Sequence, residues 1–124
     1  MKKITYLFTM IGLLSLGNYA LSHHSHGNYE MTEYTEMEGV VQQVLWVNPH
    51  TWIYLEVPNN DGTSTLWAME GGGPQGLIRR GWQRDDVEAG DTIKVRCHRV
   101  KDNNPQCLLG MVTPEGWTEE KEWD

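Results

Sequence analysis

The chain has 124 residues and a formal net charge of −7, from seventeen acidic and ten basic side chains. That balance excludes nucleic-acid backbone binding, which needs a basic footprint, and favours cations or partners with basic surfaces. The length suits one domain with a modest core, and no segment after the N-terminal apolar run approaches the ~20 apolar residues of a membrane span.

Residues 1–22 read as a secretory signal peptide. Lys2 and Lys3 supply the positive start, Ile4 to Leu16 the apolar run, and Ala20-Leu21-Ser22 the small residues of a cleavage site. The expected destination is a bacterial periplasm or the exterior, and the processed chain is expected to lack a membrane span. Cleavage after Ser22 leaves His23 at a new N-terminus. Residues 23–34 then form a histidine-containing segment, 35–116 a β-domain and 117–124 an acidic tail, expected to be solvated and partly disordered.

Residues 27–33 are polar and read as irregular. From Thr35 to Val47 the chain is strand-like, rich in β-branched and aromatic residues around Val40-Val41 and Val44 to Val47. Gly39 suggests a bulge or a sharp coil, and Asn48-Pro49 ends the strand. Thr51 to Val57 alternates, with Ile53, Leu55 and Val57 on one face and Trp52, Tyr54 and Glu56 on the other. Asp61-Gly62 marks a hairpin into a third strand, Thr63 to Glu70. Pro74 opens a short helix that buries Leu77 and Ile78, and Gly81 caps it with Trp82 as the apolar residue that follows. Strands over Thr92–Val100 and Gln106–Thr113 come next, then a short one near Trp117. Three strands, a helix and two strands are the order of an OB-type barrel of five to six strands; a small β-sandwich is the alternative.

Two cysteines, Cys97 and Cys107, in an exported chain predict one disulfide. Alternation puts Ile93, Val95 and Cys97 on one face and Cys107, Leu109 and Met111 on another, so the two cysteines can meet across a hairpin. His98 then falls on the opposite, solvent side.

The histidines carry the clearest chemistry. An α-amine titrates near ~8 and an imidazole near ~6.5, so both are available as neutral donors at mildly alkaline pH. The amine and ring of His23, the ring of His24 and the ring of His50, with His26 as a further candidate, suit copper, nickel or zinc, copper foremost. His50 follows Asn48-Pro49, a turn that proline stiffens. Cleavage after Leu21 instead puts His24 third, where the amine and backbone amides bind Cu(II) without His50. The same histidines also read as a polar tail.

A second candidate is a ligand-binding aromatic face of Trp46, Trp52 and Tyr54, with Trp67 on a neighbouring strand. Such a face stacks flat ligands or meets an envelope protein, although small barrels also fill cores with tryptophan. Gly71-Gly72-Gly73-Pro74 reads as a flexible connection, since no lysine of a phosphate loop follows. Arg79 and Arg80 are expected to pair with Asp85 and Asp86. No nucleophile or zincin motif occurs, which weighs against hydrolytic or transfer chemistry.

His23-His24-Ser25, Gly39-Val40-Val41, Trp46 to His50, Trp67, Leu77 to Trp82 and Gly90-Asp91-Thr92 together resemble a widespread family of small exported bacterial proteins of unknown function. The resemblance implies that His23, His24 and His50 belong to the family pattern, and it supplies no activity. The chain departs from that pattern at His26, where an aromatic is more usual, and at Gly71 to Gly73, where a serine-bearing segment is usual.

Overall fold

The computed structural model describes residues 26–124. The leader, His23 and His24 lie outside them. The elements are a 3-10 turn η1 (His26–Asn28), β1 (Thr35–Leu45), β2 (Trp52–Pro58), β3 (Ser64–Glu70), α1 (Pro74–Arg79), β4 (Thr92–Arg99), β5 (Gln106–Thr113) and β6 (Lys121–Glu122).

The sheet runs β3-β2-β1-β4-β5-β6, and a parallel pairing of β3 with β5 closes the first five strands into a barrel. This is OB-type connectivity, with one short helix between β3 and β4. β1 makes closure possible because it serves two partners. Val40 to Leu45 pair with β2, and Thr35 to Val40 pair with β4. At the crossover a Cβ on Gly39 would collide with the Glu56 carbonyl, so the glycine permits the coil. The bulge itself lies between Val41 and Gln43.

α1 ends in a Schellman motif. Gly81, at φ 85°, donates to the Ile78 carbonyl, and Trp82 N–H reaches the Leu77 carbonyl. Leu77 and Trp82 are buried, but Ile78 is half exposed, because so short a helix turns its next residue to solvent. Arg79 and Arg80 form none of the ion pairs among the described residues. Asp86 instead accepts the Gln83 N–H at 2.8 Å within its own turn.

Two sequence expectations fail at the C-terminal end. No strand forms at Trp117, which stacks on Trp82 at 5.8 Å; the sixth strand lies four residues further on, at Lys121–Glu122. Residues 117–120 are exposed as expected, but the segment is not solvated to its end, since Trp123 is 0% exposed. Its indole donates to Thr51 Oγ1 at 3.0 Å, and Thr51 Oγ1 donates to the Gly72 carbonyl at 2.8 Å. Gly72 N–H returns to the Trp123 carbonyl at 2.8 Å. The glycine run is therefore a packing surface. A Cβ on Gly71 would strike Trp123 and Thr51, and one on Gly72 would press on Asp124.

Cys97 and Cys107 form the expected disulfide, with Cα atoms 5.6 Å apart. They sit diagonally, because the register pairs Cys97 with Leu109 and Arg99 with Cys107. Beyond them Gly110 is an extra residue on β5, and the alternation reverses. Val112 points into the core, whereas Met111 was expected there. His98 takes the outer face of β4 as expected, but it is buried, because residues 29–34 cross that face. Its Nδ1–H donates to the carbonyls of Glu30 (3.1 Å) and Glu33 (2.7 Å), and Tyr34 stacks on its ring at 4.2 Å.

Candidate functional site

The N-terminal segment is fastened to the barrel by its backbone. Tyr29 bridges to Val100, Glu30 N–H donates to the Arg99 carbonyl at 2.8 Å, and Lys101 N–H donates to the Asn28 carbonyl at 2.9 Å. Irregular as its sequence looks, the segment thus extends the edge of the sheet at the end of β4. One result is that His26 stands over the barrel wall rather than away from it.

That wall is built from the end of β3 and the turn before β2. Glu70 is the last residue of β3 and pairs in register with Trp52. His50 follows the cis Asn48–Pro49 peptide and precedes β2. A concavity of about 470 Å³ lies between wall and segment, lined by His26, Tyr29, His50, Glu70, Lys101 and Gln106 among others. A second hollow of about 390 Å³, over Glu38, Lys94 and Arg96, contains no histidine.

The polar groups of the first concavity form one network. Tyr29 Oη donates to Glu70 Oε2 at 2.6 Å, and Gln106 Nε2 donates to Tyr29 Oη at 2.9 Å. The other Glu70 oxygen, Oε1, lies 3.4 Å from His50 Nδ1. The same nitrogen is 3.1 Å from the Gly71 carbonyl. A carbonyl and a carboxylate both accept, so Nδ1 carries a proton directed at this pair.

Burial, then the hydrogen bond and negative charge of Glu70, push the Tyr29 hydroxyl well above its ordinary pKa of 10.0. The folded value is raised, so the stabilisation is complete below about pH 10 and is lost as pH climbs beyond it. Alkaline absorbance titrations of the protein and of Tyr29→Phe are expected to coincide across the ordinary tyrosine range, since Tyr29 ionises only above it. A loss of one tyrosine step there in Tyr29→Phe would contradict this.

Of the residues picked out from sequence, His26 and His50 share this concavity, and His23 and His24 precede it outside the described residues. Among the described residues no group of three or more His, Cys, Asp or Glu side chains converges to hold a metal. The aromatic set is divided. Trp52 and Tyr54 stand partly exposed on the outer side of β2. Trp46 lies past β1 and packs on Trp123 at 5.7 Å, under the Arg84 guanidinium. Trp67 also packs against the core, capped by Arg99 at 5.1 Å. Sequence reasoning missed Tyr29 and Glu70 as partners. A tyrosine in a polar stretch carries no periodic signal, and Glu70 reads as an acid or base that nothing in the sequence places near a partner.

A family of unknown function, DUF6152, matches residues 11–118. The chain belongs to that family. The match takes in the N-terminal segment, the His50 turn and all five barrel strands. No curated protein and no solved structure matches the chain.

Proposed function

We propose that this DUF6152 protein is an exported binding protein that holds a transition-metal ion, copper foremost, where its N-terminal segment meets His50. Processing after Ser22 frees the α-amine of His23, and that amine, the rings of His23 and His24, and His50 supply the nitrogen donors. Zinc is the second metal that suits such a set. The observation that carries this reading is that His26 and His50, distant in sequence, line one concavity. His24 lies two positions before His26, a distance that an extended chain covers in about 7 Å. The acidic balance of the chain adds a favourable field for a cation. The role that follows is a metal carrier or sensor, or an accessory to an envelope system in the periplasm or outside the cell.

Calorimetric titration of Cu(II) and Zn(II) into protein beginning at His23, with any tag at the C-terminus, tests it. Sub-micromolar one-to-one Cu(II) binding is expected. It should disappear when three residues are added before His23, which carry both histidines past the third position, and weaken in His50→Ala while the barrel stays folded. Weak or absent binding would overturn the reading. Tight binding indifferent to His50→Ala would remove His50 from the site and leave the α-amine, His23 and His24 as its donors.

A further inference from the structure

The Glu70 carboxylate touches two parts of the protein that must come together for such a site. One oxygen accepts the Tyr29 hydroxyl, which belongs to the N-terminal segment. The other faces His50 Nδ1, which belongs to the barrel wall. Tyr29 is 6% exposed, and its hydroxyl also receives the Gln106 amide. A buried tyrosine with a satisfied hydroxyl is a rigid fastening.

We infer that Tyr29 and Glu70 are the positioning residues of the metal site, a role that rests on the metal-binding reading above. Tyr29 latches the histidine-bearing segment to Glu70, and Glu70, with the Gly71 carbonyl, orients the His50 ring so that Nε2 is the coordinating nitrogen. Neither residue touches the metal. A carboxylate behind a ligating imidazole strengthens it as a donor, fixes its tautomer and spares the ordering that a mobile ring would undergo on binding. The latch does the same for the segment.

Two small substitutions separate positioning from bulk. Tyr29→Phe keeps the ring and removes the hydroxyl. Glu70→Gln keeps the shape and removes the charge. With Cu(II) titrated into full processed protein beginning at His23, each is expected to lose about 10- to 100-fold in affinity, the usual effect of removing a residue behind a metal ligand. Circular dichroism should show both barrels intact. Pulsed EPR of the Cu(II) forms supplies a readout that a merely structural role would not move. The remote, uncoordinated imidazole nitrogen reports its own N–H hydrogen bond, so its quadrupole coupling should shift in Glu70→Gln. The component that shifts should be the one missing in His50→Ala.

If the unaltered protein binds Cu(II) tightly and both variants match it in affinity and remote-nitrogen coupling, the positioning role is overturned and the metal reading stands. If the unaltered protein does not bind Cu(II), both fall together.

Discussion

Trp123→Ala is expected to destabilise the barrel by about 3–5 kcal/mol, the range for emptying a buried tryptophan site. The side chain is wholly buried within a tryptophan cluster, with Trp82 edge-on at 4.4 Å and Trp46 at 5.7 Å. Its loss opens a large cavity and orphans Thr51 Oγ1 as an acceptor of the indole N–H. The consequence extends beyond packing. The backbone of Trp123 holds Gly72, and the next residue back, Gly71, gives its carbonyl to His50. Urea unfolding of the variant should show a midpoint far below that of the parent, with a similar slope. A shift equivalent to under about 1 kcal/mol would mean that the C-terminal residues only rest on a barrel that is complete without them.

Removing the disulfide by the double substitution Cys97→Ala and Cys107→Ala should cost about 2–4 kcal/mol. The bond closes a short loop, with a sequence separation of 10, so its effect on the unfolded chain is at the lower end of the usual range. Both cysteines are fully buried in the main core, which adds lost packing to the entropic contribution. β5 pairs with β3 over three residue pairs, and Cys107 is in the middle one, opposite Met69. The barrel seam is therefore the place where the loss should appear first. Amide exchange should accelerate most at Ala68 to Glu70 and Gln106 to Leu108. Uniform acceleration through all strands would instead show that the bond acts through the unfolded chain alone.

Most of the barrel was legible in the sequence because its signals are local. Period-two alternation located Ile53 and Leu55 in the core, Asp61-Gly62 fixed the hairpin, and Gly81-Trp82 marked the helix end with the two hydrogen bonds that it forms. The order of elements, with a helix between the third and fourth strands, was enough for the OB-type arrangement. Local pattern failed where a distant segment supplied the burial. His98 looks like a surface residue until residues 29–34 cross β4, and Trp123 looks like part of an acidic end until it enters the core. The reversal at Gly110 was hidden too, because one extra residue in a strand leaves no mark on composition.

The candidate site divides in the same way. Sequence by itself nominated the histidines, since nitrogen donors near a chain start are a chemical pattern that needs no fold, and it determined the five barrel strands, the disulfide and the acidic balance. Tertiary structure decided which of those histidines share a concavity, and it introduced Tyr29, Glu70 and Gln106, which no motif joins. The physical reason is that hydrogen-bond partners such as Tyr29 and Glu70, 41 residues apart, are selected by closure of the sheet. Alternation and turn chemistry act over a few residues and fix each strand. The meeting of the N-terminal segment with the end of β3 depends on where the closed barrel carries both.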